Sequence, residues 1–236
     1  CIAALTACSP QETQQTAASG ASPAASTHKI EGETLTVATT RGEAVVPLNP
    51  ERVAVYDLGM IDTLNKLGVP IGASIDQSRL AYLNDAIKDA KKAGTLFEPN
   101  FEALNEYKPQ LIIIGSRAAK AFDQLNKLAP TIEMTADTDN LKESSKQRID
   151  AFAKIFNKQA EADQLKTEID TAFEAAKQTA AGKGKGLVVL VNGGKMSAYG
   201  PSSRLGGWLH KDLAIPPADE NIKEGSHGQP ISFEYI

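Results

Sequence analysis

Residues 141 to 181 of this chain contain neither a glycine nor a proline. Because these two residues interrupt helices, their absence favours continuous helix. Apolar residues repeat there at helical spacing, first at Ile149, Phe152, Ile155 and Phe156 and then at Leu165, Ile169 and Phe173. We predict two helices that break near Asn157, the second of about 22 residues and therefore ~33 Å long, which spans a small domain.

Before these helices, short apolar runs alternate with helical patterns. Strands are predicted at 52–56, 70–73, 111–114 and 131–134, and a hairpin is predicted around Thr40-Arg41-Gly42. Helices are predicted at 60–67, 80–87, 100–107 and 118–128. Strands that alternate with helices are typical of an α/β lobe, which we place at residues 30–138.

After the helices, the glycine-rich run 182–186 ends the second helix and a further buried strand is predicted at 187–191. About 50 residues then remain, too few for a complete second α/β lobe. We therefore predict the α/β class, with a helical segment at 139–182 between the N-terminal lobe and a partial C-terminal lobe at 183–236.

The start of the chain resembles the end of a secretory signal peptide. Residues 1–8 are small and apolar, and Leu5-Thr6-Ala7-Cys8 resembles a bacterial lipobox, in which the cysteine is lipidated. Residues 9–27 hold no aliphatic side chain larger than alanine, so we expect a disordered tether at 9–29. This pattern predicts a protein anchored to the membrane through Cys8 and facing the periplasm or the exterior. The first residue is not Met and the last five look like an unfinished helix, so we expect both ends to be truncated.

Composition excludes several classes of protein. A net charge of −4 argues against an electrostatic nucleic-acid binder. Three His and two Cys are too few for a zinc finger, a disulfide scaffold or an iron–sulfur protein. No apolar run reaches the ~18 residues of a membrane-spanning helix. Neither G-x-S-x-G nor H-E-x-x-H occurs and no catalytic histidine partner is evident, so we predict neither an enzyme nor a cofactor.

Two arginines are candidate ligand-binding residues. Lysines outnumber arginines 19 to 6, and Arg117 and Arg204 each follow a predicted strand in a loop of small residues. Ligands of α/β folds bind at the carboxyl ends of strands, and the guanidinium fork suits oxyanions. We expect one arginine from each lobe to face a shared cleft; the alternative is a solvated loop arginine or an ion pair.

Four other residues are weaker candidates. His227 lies between flexible residues, where it is either a turn residue or an imidazole presented to a metal or an anion. Tyr199 either lines a cleft or packs in the core. Phe101-Glu102 and Phe233-Glu234 each open a predicted helix, so Glu102 and Glu234 are either a chance repeat or equivalent surface carboxylates of two similar lobes.

Three segments together resemble the iron–siderophore substrate-binding proteins of ABC importers, in particular the branch that binds ferric catecholates such as enterobactin. They are residues 57–68, residues 99–114 and the run Asn192-Gly-Gly-Lys-Met-Ser-Ala-Tyr-Gly-Pro-Ser-Ser-Arg204. Residues 219–222 and 225–228 strengthen the resemblance of the third segment. The resemblance covers about residues 30–236 and implies two α/β lobes joined by one long helix, with the ligand between the lobes and no catalysis. We expect a monomer.

The resemblance also implies roles for individual residues. Arg117 and Arg204 match two of three arginines that surround the ferric complex, and His227 matches a histidine that ligates iron when the siderophore leaves sites open. The third arginine and a tyrosine ligand are expected beyond Ile236, which predicts poor binding by the chain as given. Glu102 and Glu234 match the carboxylates that dock onto the permease.

Charge favours a catecholate ligand, because a ferric tris-catecholate is triply negative whereas ferric trihydroxamates are nearly neutral. Within the family, cobalamin or haem remains the alternative ligand. Outside it, the alternatives are a surface lipoprotein that acts as an interaction module, which would need no cleft arginines, and an α/β hydrolase or transferase, which would need a nucleophile–base pair. The sequence leaves the native siderophore open.

Overall fold

The computed structural model describes residue 30 and residues 32–222 and 228–236. The strands are β1 (Thr34–Thr39), β2 (Gly42–Pro47), β3 (Val53–Tyr56), β4 (Ala73–Ser74), β5 (Lys91–Lys92), β6 (Leu111–Ile114), β7 (Thr131–Glu133), β8 (Val188–Asn192), β9 (Lys195–Tyr199) and β10 (Gln229–Ile231). The α-helices are α1 (Leu58–Lys66), α2 (Ala81–Asn84), α3 (Phe101–Tyr107), α4 (Phe122–Leu125), α5 (Leu141–Phe156) and α6 (Gln159–Ala180). Short 3₁₀ segments cover Asp85–Ile87, Ser116–Ala121 and Phe233–Tyr235, and Trp208–Asp212 forms a π-helical turn.

The N-terminal lobe is built on a five-stranded sheet of order β5-β4-β3-β6-β7, in which each neighbouring pair is parallel. Every residue of β3 and of β6 is buried, because both faces of the central strands are covered. α1 begins after Asp57, whose side chain accepts a hydrogen bond from Met60 N at 3.2 Å. The predicted α/β class is confirmed.

The predicted hairpin is also confirmed, as β1 and β2 pair in antiparallel register from Thr34 opposite Pro47 to Thr39 opposite Gly42. Its turn is attached to the outer strand of the parallel sheet, since Thr40 N donates to Glu133 O at 2.9 Å. The hairpin therefore extends the lobe beside β7.

α5 and α6 confirm the two predicted helices and the break at Asn157, which caps α5 in a left-handed conformation at φ 54°. α6 has 22 residues and leads from the N-terminal lobe to the C-terminal lobe. Asp170 of α6 accepts from two lysines of α5, Lys142 at 2.9 Å and Lys146 at 2.7 Å, and Lys166 pairs with Asp150. Each pair is partly exposed and contributes little by itself, but together they fix how the two helices lie side by side.

The C-terminal lobe holds an antiparallel sheet of order β10-β9-β8. The strand predicted at 187–191 forms as β8, but the prediction that it is buried is wrong, because Leu190 is 36% and Val191 63% exposed. β8 is an edge strand that pairs with β9 alone among the described strands, and its apolar side chains are left open to solvent.

Two predicted helices in the N-terminal lobe were imprecise, and one strand was not predicted. The helix predicted at 118–128 is divided into the 3₁₀ segment Ser116–Ala121 and α4, and the helix at 80–87 into α2 and a 3₁₀ turn. β5 was missed, since its two lysines carry no apolar signal; lysine is common on edge strands such as this one. In each case tertiary contacts at the sheet decide the local conformation.

Candidate functional site

The carboxyl ends of the five parallel strands meet at one edge of the N-terminal sheet, which we call the carboxyl edge. Arg117 lies there, since Gly115 follows β6 directly and the 3₁₀ segment begins at Ser116. Arg117 is exposed, and within the described part of the chain it forms no ion pair. Its guanidinium is therefore available to an anion at this edge.

Asp57 occupies the same edge, one residue after β3. Its Oδ1 accepts from the first turn of α1, and its Oδ2 lies so close to Gly115 that a Cβ on that glycine would stand 2.4 Å away. Gly115 is therefore needed for a close approach of the strand end to a carboxylate, and not for an unusual backbone conformation, because its φ is −106°.

Arg148 of α5 brings a second guanidinium towards this edge. It donates to Met134 O at 3.3 Å and to Ser145 Oγ at 3.1 Å. Burial lowers the pKa of Arg148, and the charge of Asp57 partly offsets that effect. Nothing in the sequence indicates the burial of Arg148, because a helical arginine after a polar run carries no local sign of it.

A cavity of about 590 Å³ lies beside Arg148, between the hairpin, the segment after β7 and α5. Hydroxyl groups and charged side chains line it, including those of Thr36, Ser144, Arg148 and Lys154. Arg117 and Arg204 do not line it, so this cavity is distinct from the cleft that the sequence predicts.

Arg204 lies in the loop that follows β9. Ser203 holds this loop, since its N–H and its Oγ–H both donate to Gly200 O, at 3.1 and 2.6 Å, and its Oγ accepts from Gly206 N at 3.0 Å. Gly206 packs so closely that a Cβ there would stand 2.3 Å from Gly200 O. The loop backbone is fixed, while Arg204 itself is exposed.

The Arg204 loop meets the segment that leaves β7. A Cβ on Gly207 would lie 3.3 Å from Thr138 O, and Lys211 Nζ donates to Asp139 O at 3.3 Å. β7 is next to β6 in the sheet, so the Arg117 segment and the segment that contacts the Arg204 loop both leave the carboxyl edge. A common cleft between the two guanidinium groups stays a prediction.

Tyr199, unlike the two arginines, is buried. Tyr199 is 2% exposed and its ring packs so closely on Gly228 that a Cβ there would lie 2.9 Å from it, so its ring is part of the core of the C-terminal lobe. Contact of Tyr199 with a ligand stays a prediction. His227, like Cys8, lies outside the described residues.

The two candidate docking carboxylates each stand in the first turn of a helical segment. Glu102 is exposed in α3, which Asn100 caps by accepting from Ala103 N at 3.0 Å. Glu234 is exposed in the 3₁₀ segment after Ser232, and hydrogen bonds from the Ser232 side chain and from a backbone N–H lower the pKa of its carboxyl. Both Phe-Glu pairs therefore open helical segments, as predicted.

The described residues contain no group of three or more His, Cys, Asp and Glu side chains that could hold a metal ion. Nor, over the same ranges, is there a helix with the length and apolarity needed to span a bilayer.

Comparisons with known proteins agree on the family. The sequence profile of the periplasmic binding protein family matches residues 53–236. The chain is 41% identical over 195 residues to the petrobactin-binding protein YclQ of Bacillus subtilis, covering 81% of this chain and 61% of that protein. It is 33% identical over 202 residues to the ferric-anguibactin-binding protein FatB of Vibrio anguillarum, covering 83% of this chain and 62% of that protein. The chain thus spans about three fifths of the length of these two curated relatives.

Solved structures give the same result. The crystal structure of YclQ superposes with a TM-score of 0.82 at 37% identity, covering 87% of this chain and 74% of that one. The catecholate-siderophore-binding protein VctP of Vibrio cholerae superposes with a TM-score of 0.78 at 32% identity, covering 86% of this chain and 74% of that one.

Proposed function

Because this chain belongs to the periplasmic binding protein family, we propose that it captures a ferric catecholate siderophore between its two lobes and delivers it to the permease of an ABC importer. The relatives named above support this, since their names refer to petrobactin, to ferric anguibactin and to a catecholate siderophore. The protein would act by binding, without catalysis. Cys8 would anchor it by a lipid to the outer face of the membrane.

The observation that carries the proposal is the placement of Arg117 and Arg204. Both are exposed and neither forms an ion pair within the described residues; Arg117 follows β6 at the carboxyl edge, and the loop of Arg204 contacts the segment that follows β7. The chain as a whole carries −4, so a triply negative chelate needs local positive charge to bind. Two guanidinium groups supply it, and each charge-assisted contact contributes about 1.5–3 kcal/mol net.

The first experiment is a fluorescence-quenching titration of the full-length protein with ferric enterobactin and with a ferric trihydroxamate. The chain holds one tryptophan, Trp208, which follows Arg204 by four residues and is 37% exposed, so its emission reports on this loop. We expect Arg204→Ala to weaken binding of the catecholate complex by about 2–5 kcal/mol. Arg52→Ala is the control, because Arg52 is an exposed arginine directly before β3, at the opposite edge of the N-terminal sheet from Arg117.

Salt adds a second test of the charge argument. Binding of the triply negative complex should weaken as ionic strength rises, and the dependence should be shallower in Arg204→Ala. Equal affinity of the wild-type protein for the catecholate and the trihydroxamate complexes, with no effect of Arg204→Ala, would refute the proposed ligand class.

Glu102 and Glu234 would form the docking contacts with basic residues of the permease. Glu106→Ala is a suitable control for Glu102→Ala, since Glu106 is exposed on the same helix but pairs with Lys91. We expect Glu102→Ala with Glu234→Ala to abolish stimulation of the permease ATPase in proteoliposomes while ligand affinity is unchanged. Full stimulation by the double variant would refute this role.

A further inference from the structure

The turn of the β1–β2 hairpin reaches the segment that carries Arg117. Arg41 lies in this turn, and its guanidinium contacts three different elements. Its Nε donates to Glu133 Oε2 of β7 at 2.7 Å, and its Nη2 donates to Ala119 O of the 3₁₀ segment at 3.1 Å. Its Cζ lies over the ring of Phe122 in α4, 4.2 Å from the ring centroid.

Glu133 is a fixed anchor for this arginine. It is 6% exposed, and its second carboxylate oxygen accepts from Thr135 Oγ1 at 3.0 Å. The backbone around it is tied to the hairpin as well, since Thr40 N donates to Glu133 O and Thr135 N donates to Thr40 Oγ1, both at 2.9 Å. The carboxylate therefore holds Arg41 in one place relative to the sheet.

The 3₁₀ segment Ser116–Ala121 needs such an external contact. Six residues are long for a 3₁₀ helix, whose hydrogen bonds have poorer geometry than those of an α-helix. Gly115 provides no side-chain cap, and only Ala118 of the six residues is buried. Arg41 supplies a charged donor to the carbonyl of Ala119, two residues from Arg117.

We propose that Arg41 is a positioning residue of the ligand site, which holds the Arg117 segment at the carboxyl edge and so acts on ligand affinity through Arg117. The inference rests on the role proposed above for Arg117. The planar fork of arginine is required, because one side chain must meet a carboxylate, a carbonyl oxygen and a ring face at once. Lysine, a single point of charge, cannot make all three contacts.

The first experiment needs no ligand. Amide hydrogen exchange of residues 116–122 is measured in the wild-type protein and in Arg41→Ala, Arg41→Lys and Arg52→Ala. We expect exchange to rise about tenfold or more in both Arg41 variants, because local opening becomes easier without the external contact. Arg52→Ala should leave it unchanged, since Arg52 donates to Lys108 O at 2.7 Å at the opposite edge of the sheet. Unchanged exchange in Arg41→Ala, or wild-type exchange in Arg41→Lys, would overturn the inference.

The second experiment is a double-mutant cycle with ferric enterobactin as the probe. Arg41→Ala should lower affinity about tenfold in the wild-type background and have almost no effect in Arg117→Ala, because its action passes through that residue. An equal loss in both backgrounds would overturn the positioning role. Unchanged affinity in Arg41→Ala, with the wild-type protein binding, would overturn this inference alone, whereas failure of the wild-type protein to bind would overturn the proposed function and this inference with it.

Discussion

The close contact of Gly115 with Asp57 permits a sharp test of how the carboxyl edge is built. In Gly115→Ala the new Cβ would stand 2.4 Å from Asp57 Oδ2 and 2.9 Å from Asp57 Cγ, and both distances are far below van der Waals contact. The backbone of Gly115 is extended, at φ −106° and ψ −175°, so alanine adds no backbone strain. The carboxylate of Asp57 must therefore move.

The expected loss follows from what Asp57 does in place. Its Oδ1 caps α1 by accepting from Met60 N at 3.2 Å, and losing such a cap costs about 1 kcal/mol. A side chain forced off its rotamer adds about 0.5–1.5 kcal/mol. Replacing glycine by alanine restricts the unfolded chain, which offsets about 0.4–1 kcal/mol. We expect Gly115→Ala to lower the free energy of unfolding by about 0.5–2 kcal/mol.

The assay is urea unfolding followed by far-UV circular dichroism, with Gly115→Ala made in the wild-type protein and in Asp57→Ala. Once Asp57 is shortened, the carboxylate is gone and only its Cβ stays near the new methyl group, at 3.1 Å, so the same alanine should cost much less than in the wild-type background. The same loss in both backgrounds, or no loss in either, would refute the argument from this contact.

Two further predictions concern the stability of the N-terminal lobe and of the paired helices. Tyr56→Phe should lower the free energy of unfolding by about 1–2 kcal/mol, because the buried Tyr56 hydroxyl donates to Ala93 O at 2.7 Å and the carbonyl would lose this partner. The control is Tyr82→Phe, which should have no effect in the same urea titration because Tyr82 is 63% exposed. Hydrogen bonds from Lys146 and Lys142 lower the pKa of Asp170 in the folded protein. The ionised carboxylate therefore stabilises the fold at pH values above the pKa of Asp170 in the unfolded chain, and this stabilisation is lost as the pH falls through the pKa of Asp170 in the folded protein. The difference in urea midpoint between the wild-type protein and Asp170→Asn should therefore shrink between about pH 5 and pH 2, and a constant difference would contradict the assignment.

Much of the fold follows from local sequence signals. The stretch without glycine or proline at 141–181 and its apolar spacing predict α5, α6 and the break at Asn157, since these features set helix propensity and burial within a few turns. The apolar run at 111–114 likewise predicts β6, because a strand covered on both faces buries successive residues and a run of four after Pro109 is too short for a helix. Arg117 and Arg204 were chosen by their place after predicted strands, and their contact with a ligand stays a prediction.

The tertiary structure alone decided how the carboxyl edge is assembled. Asp57, Gly115 and Arg148 come together from three distant parts of the chain, and Arg41 reaches Glu133 across 92 positions, so no local pattern reveals these contacts. The exposure of Leu190 and Val191 has the same origin, because whether an apolar strand is buried depends on what packs against it. Short-range propensity and periodicity in the sequence determine which segments form helices and strands. Long-range packing determines which charged side chains lie together in one site.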